Sequence, residues 1–343
     1  MPNLSEHSLP VLFLILAIAG SIVWYAGTRI TCYVDAIARR THIGEAFAGM
    51  LLLGGVTSLP EVATAGAAAA NGNALLTVND LLGSASMNLV LLAIGDLLYG
   101  KNALTCVAGR PQTLMQGTLG MILLAAVGFA ITVTDIVIPV VGTGVTTVIL
   151  AAACVQALRI SRRFERNTTW QVIDPPDVEA AESVDVELSN GRLALLTTAA
   201  AMAILSGGAT LAMTGDAIAD KTGLGSSIIG FTLIAFSTSL PELSSVLKAL
   251  KMRRYQLAIG DIFGTNLFNI LILFLGDLLY REGALLNQAG SFEIAACCLA
   301  AVLTGIFLVG LLERRNRTIG RMGTDSAMVV VIYLGGLAGL SLL

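Results

Sequence analysis

The chain has 343 residues, of which 55% are apolar and only 13% charged, and its mean hydropathy is +0.82. Soluble domains carry about 25% charged residues, so this composition excludes an ordinary soluble domain and points to a membrane protein. The net charge of −3 sits in short clusters between apolar runs, and nucleic acid is not an expected partner.

Ten runs are long and apolar enough to span a bilayer: 9–27, 44–71, 75–98, 114–133, 136–158, 193–213, 225–249, 257–280, 293–312 and 326–343. The first follows no basic n-region and precedes no small-residue cleavage site, so it reads as a retained span rather than a signal peptide. The second and seventh each contain a Pro and are expected to be bent or broken. Eighteen of the 20 Lys and Arg fall in or beside the odd-numbered loops, and only Lys221 and Arg281 in the even ones. By the positive-inside rule the odd loops are cytoplasmic and both termini lie outside.

The longest loop turns acidic after Pro175 and Pro176, between Asp174 and Glu187, and reads as a solvated linker. It divides the chain into a first five-helix half (1–158), a cytoplasmic linker (159–192) and a second five-helix half (193–343). The five Cys (Cys32, Cys106, Cys154, Cys297 and Cys298) show no metal-ligand spacing and read as small buried residues. The two His, His7 and His42, lie outside the apolar runs, which argues against a His-based catalytic or zinc site. No cofactor and no enzymatic activity are expected.

The halves share a motif at an offset of 181 residues. Thr57-Ser58-Leu59-Pro60-Glu61 recurs as Thr238-Ser239-Leu240-Pro241-Glu242, and without a gap Asp80 meets Asp261, Gly83 meets Gly264 and Asn88 meets Asn269. Gly95-Asp96-Leu97-Leu98-Tyr99 then meets Gly276-Asp277-Leu278-Leu279-Tyr280. Five spans is an odd number, so the second half enters the membrane from the opposite side. The expected fold is therefore all-α, with ten transmembrane helices as two inverted five-helix repeats. That plan belongs to secondary transporters, which bind substrate near the midplane.

The repeated segment is suited to a cation. Glu61 and Glu242 lie in mid-span, where an ionised side chain is costly and is functional by default. Pro60 and Pro241 release the carbonyls of Val56 and Ser237, which need protein, water or an ion as partner. Hydroxyls of Thr57, Ser58, Thr238 and Ser239 are within a turn of the Glu pair. Asn88 and Asn269, with Ser84 and Thr265 four residues earlier on the same helical faces, supply a second wall. Such hard oxygens suit calcium and sodium. Asp80 and Asp261, near the starts of their spans, are expected to guard the two mouths or complement helix dipoles. Asp96 and Asp277 read as interfacial or structural.

These paired motifs, each followed by a Gly-Ser/Thr-x-x-x-Asn segment, resemble the two alpha repeats of the cation/calcium exchanger superfamily. Gly264-Thr265-Asn266-Leu267-Phe268-Asn269 matches that pattern most fully. The resemblance implies that Glu61 and Glu242 bind calcium, that Asn88 and Asn269 complete its site, and that Thr57, Ser58, Ser84, Thr238, Ser239 and Thr265 serve flanking sodium sites. It also implies carbonyl ligands from Gly54 and Ala235, and alternating access with two gating helices sliding on a fixed core. The chain departs from the pattern at Ala85, which stands where the second repeat has Asn266. It has Asn at both positions 88 and 269, where some members carry an Asp, and Asp at 80 and 261, where relatives often have Asn.

The leading expectation is a calcium/sodium antiporter in a prokaryotic cell membrane, with the bilayer and small cations as its partners. Exchange of calcium or another divalent ion, such as magnesium or manganese, for protons keeps the same fold. A cation channel would need a continuous pore rather than ligands gathered at midplane.

Overall fold

The computed structural model describes residues 7–99, 102–139, 141–167, 188–222, 232 and 234–343. In chain order the helices are α1 (Leu9–Thr41), α2 (Glu45–Thr57), α3 (Leu59–Ala70), α4 (Ala74–Tyr99), α5 (Leu104–Ala108), α6 (Pro111–Thr132), α7 (Val145–Arg166) and α8 (Asn190–Thr222). They continue with α9 (Ala235–Thr238), α10 (Leu240–Lys251), α11 (Tyr255–Leu279), α12 (Ser291–Glu313) and α13 (Thr324–Leu340). Strands β1 (Thr318–Ile319) and β2 (Met322–Gly323) form a small hairpin before α13. Among the described residues seven helices are long and apolar enough to cross a bilayer, and the bent pair α2–α3 makes an eighth. This is a multi-pass membrane protein.

Several boundaries differ from the hydropathy runs, each for a local reason. The first and sixth runs, 9–27 and 193–213, extend into helices of 33 residues each. About 50 Å of helix exceeds the ~30 Å hydrocarbon layer. Past residue 27, α1 continues as an amphipathic helix whose polar Asp35 is buried against Arg39 and Arg254. The fifth run begins at Val145 rather than 136, because Gly142 at φ +75° and a backbone bridge between Val137 and Gly144 make a turn there. The last helix has 17 residues. The seventh run, 225–249, falls partly outside the described residues, and the acidic segment 174–187 wholly so.

Burial sorts the helices into layers. The apolar windows of α4 and α11 are 83% and 67% buried, against 22% and 28% for α1 and α8. Thus α4 and α11 form the centre, while α1 and α8 pack against each other at its side. Large apolar residues such as Leu14 on α1 and Phe129 on α6 face outward, as a lipid environment requires. The centre is tight because α2 and α11 meet backbone to backbone. A Cβ on Gly54 would lie 2.9 Å from Asp261 O, and one on Gly260 or Gly264 would strike the backbone of Ala46 or Met50. Small residues permit this approach between membrane helices.

Candidate functional site

Both Thr-Ser-Leu-Pro-Glu segments break a helix at the serine. Ser58 has φ −75° and ψ 1°, and Ser239 has φ −84° and ψ 8°, so neither continues the helix geometry before it. Pro60 and Pro241 then occupy the first turn of α3 and α10, where the missing N–H costs no helix bond. The axis bends by 46° between α2 and α3. Each Glu consequently lies in the first turn of a new helix, where the dipole favours negative charge.

The carbonyls at each break turn inward on nearby hydroxyls. Gly54 O accepts from Ser58 N at 3.1 Å and from Ser58 Oγ at 2.6 Å. Ala235 O accepts from Ser239 N at 3.0 Å and lies 3.1 Å from Thr238 Oγ1. Thr57 Oγ1 is surrounded by Leu53 O at 3.1 Å, Gly54 O at 3.3 Å, Asp261 Oδ1 at 3.2 Å and Thr265 Oγ1 at 3.4 Å. A hydroxyl has one proton to donate, so most of these are oxygens gathered around an oxygen.

Helices α4 and α11 close the site from the other side, with crossed connections between the halves. Ser84 Oγ donates to Glu61 Oε1 at 3.2 Å and also meets Ser239 Oγ at 3.2 Å. Thr265 Oγ1 donates to Glu242 Oε1 at 3.4 Å and meets Thr57 Oγ1. Asn88 Nδ2 donates to Asn266 Oδ1 at 2.9 Å, and Asn269 Nδ2 donates to Leu81 O at 3.1 Å. With their amino groups engaged, both amides keep their oxygens free. Asn88 Oδ1, Asn269 Oδ1, Glu61 Oε2 and Glu242 Oε2 are all buried and have no hydrogen-bond partner among the described residues.

The charge at this centre is uncompensated. Glu61 and Glu242 are fully buried, and the acids found in ion pairs among the described residues are Asp35, Glu45 and Glu313 instead. Taking such charges out of water costs several kcal/mol per ion unless a cation or proton joins them. No three His, Cys, Asp or Glu side chains gather as a metal cluster among the described residues. The centre offers paired carboxylates and neutral oxygens, the mixture a hard, mobile cation takes.

Asp80 and Asp261 do not lie at the mouths. Both are fully buried, about 9 Å along their helices, and lie against the opposite half's threonines. Asp261 Oδ1 accepts from Thr57 and Asp80 Oδ1 from Thr238, the latter at 3.4 Å. Asp96 and Asp277 are structural but buried rather than interfacial. Asp96 accepts from Leu104 N and Gly323 N, while Asp277 accepts from Leu285 N and Gly144 N. Each thereby holds the start of the last helix of the other half.

Two site-lining residues are not picked out as such by the sequence alone. Asn266 holds the Asn88 amide, and its signal is the mismatch with Ala85. Ser245 places its hydroxyl on Asp261 Oδ2, and its signal is a spacing of three from Glu242 on one helical face.

Comparison with known proteins matches residues 11–158 and 193–341 to the family model described as sodium/calcium exchanger protein. The protein CaxA of Alkalimonas amylolytica is 28% identical over 305 residues, covering 87% of this chain and 90% of CaxA. The inner membrane protein YrbG of Escherichia coli strain K12 is 25% identical over 320 residues, covering 91% and 93%. The sodium/calcium exchanger MaX1 of Methanosarcina acetivorans is 41% identical over 63 residues, 18% of each chain. Among solved structures, the sodium-calcium exchanger NCX_Mj soaked with sodium and calcium superposes with a TM-score of 0.65 at 19% identity, covering 99% of both chains. That likeness concerns the fold.

Proposed function

The chain belongs to the sodium/calcium exchanger protein family, and on that premise we propose that this antiporter exchanges calcium for sodium by alternating access. The observation that carries the reading is the set of four buried oxygens without partners, on Glu61, Glu242, Asn88 and Asn269. Two carboxylates balance one divalent charge, and the two amide oxygens with nearby hydroxyls fill out the 6–8 oxygens that calcium takes. Thr57, Ser58 and Ser84, with Thr238, Ser239 and Thr265, then line flanking sodium positions beside the Gly54 and Ala235 carbonyls. In this reading the chain has ten spans in two inverted halves, 1–158 and 193–343 about the cytoplasmic linker 159–192, with both termini outside by the positive-inside rule. The long, sparsely buried α1 and α8 are the gating pair that slides on the α4–α11 centre. The similarity to YrbG, named as an inner membrane protein, supports a prokaryotic inner membrane as the location.

Exchange against protons is the second reading, favoured by the two further buried acids, Asp80 and Asp261, which could carry protons in place of sodium. Labelled-calcium uptake separates the two. Proteoliposomes are loaded with sodium, or kept sodium-free with an acidic interior. Uptake in the first condition alone is the expected result. Uptake in the second alone assigns the proton reading, and uptake in neither removes calcium as the cargo.

A further inference from the structure

The two halves differ at one pair of acids, and we propose that Asp80 is a ligand for a monovalent cation held beside the Glu61–Glu242 pair, a role Asp261 does not share. The proposal rests on the central-site reading above and adds a charged residue to one flank only.

Both carboxylate oxygens of Asp261 have a hydroxyl beside them. Thr57 Oγ1 lies 3.2 Å from its Oδ1, and the Ser245 hydroxyl engages its Oδ2. Each Asp261 oxygen therefore has a hydroxyl against it, although Ser245 also reaches Glu242 O at 2.9 Å and Thr57 also meets backbone carbonyls. Asp80 is just as buried, yet its Oδ2 has no hydrogen-bond partner among the described residues and its Oδ1 has only Thr238 at 3.4 Å. The repeats differ at the residue that reaches Asp261. Thr64 stands 181 residues before Ser245, and its hydroxyl bonds Pro60 O at 2.9 Å rather than Asp80. No described Lys, Arg or His forms an ion pair with Asp80.

Beyond Asp80 Oδ1 the oxygens continue through Thr238. Thr238 Oγ1 lies between it and the carbonyls of Ile234, at 3.2 Å, and Ala235, at 3.1 Å. One carboxylate, one hydroxyl and two carbonyls form a hard-oxygen niche to which Asp80 itself brings one negative charge. That charge matches a monovalent ion such as sodium, whereas the divalent ion is better served by the glutamate pair. The flank around Thr57 has the same oxygen types, but its Asp is held by Ser245.

The test is calorimetric titration of the purified full-length protein with sodium chloride, comparing wild type, Asp80→Asn and Asp261→Asn. The expected result is one fewer sodium bound per chain in Asp80→Asn and an unchanged number in Asp261→Asn. Native sodium number and affinity in Asp80→Asn, or equal losses in both variants, would overturn the proposal. If Asp80→Asn does not fold, Asp80→Glu keeps the charge but displaces it by a methylene. Its sodium affinity is expected to fall at least tenfold, and a native affinity refutes the assignment. Calcium titration of Glu61→Gln and Glu242→Gln reports separately on the central site, so failure of that reading is distinguishable from failure at Asp80.

Discussion

Glu61 and Glu242 each sit three residues past a serine that ends one helix and just after a proline that starts the next. The same five residues therefore create the bend, supply the carboxylate and place it at a helix N-terminus. This much was legible in the sequence, because a Glu beside a Pro inside an apolar run is too costly to be incidental, and the motif occurs twice. The amides were legible as polar residues in apolar helices, but their orientation was not. It depends on Asn266, whose side chain reaches Asn88 across the interface between α11 and α4. Partners that orient a ligand typically change affinity by 10–100-fold when removed. Asn266→Ala is accordingly expected to weaken calcium binding about that much while the protein stays folded, measured by calorimetry. Native affinity in this variant would mean that Asn88 needs no such support. Asp80 and Asp261 were misplaced because a hydropathy window locates a residue by its distance from the end of a run. It does not show that α2 lies directly on the backbone of Asp261 through Gly54.

At the scale of elements, close backbone approach and a buried ion pair fix the geometry. A Cβ on Gly264 would collide with Met50 O and Cα, which are backbone atoms and give way poorly. Overpacking of this kind costs about 1–3 kcal/mol. Gly264→Ala is expected to lower the thermal midpoint of the detergent-solubilised protein and to slow transport, because it pushes α2 off the site. A native midpoint would show that the interface can open freely. On α1, the 2%-exposed Asp35 pairs with Arg254 at 2.9 Å, and Arg254 also pairs with Glu45 at the start of α2. This joins α1 to α2 and to the start of α11. Removing one partner of a buried pair costs about 3–5 kcal/mol. Arg254→Ala should therefore destabilise more than Arg315→Ala, whose 3.9 Å pair with Glu313 is exposed. Equal midpoints would contradict the link. This contact was not legible beforehand, since Asp35 and Arg254 are 219 residues apart and each reads as an ordinary loop charge.

Over the whole molecule, the positions of α4 and α11 follow from the duplicated sequence. These helices are also the most buried, and each sets its Ser or Thr against its own half's Glu and against the other half's break at Ser239 or Thr57. Crossed contacts, such as Ser84 to Ser239 and Thr57 to Thr265, mean that neither half holds a complete oxygen set alone. The cap contacts run the same way, from Asp96 to Gly323 and from Asp277 to Gly144. Helix ends were the least legible part, because α1 and α8 extend past their apolar runs on amphipathic turns that pack on protein rather than lipid. The central claim is that the paired glutamates hold the transported calcium. Its most direct test is labelled-calcium uptake by Glu61→Gln and Glu242→Gln in proteoliposomes, driven by whichever gradient drives the wild type, with folding checked by thermal midpoint. Uptake falling at least a hundredfold in each folded variant, a loss of about 2.7 kcal/mol or more, is the expected result. Uptake at the native rate in either one would contradict the account.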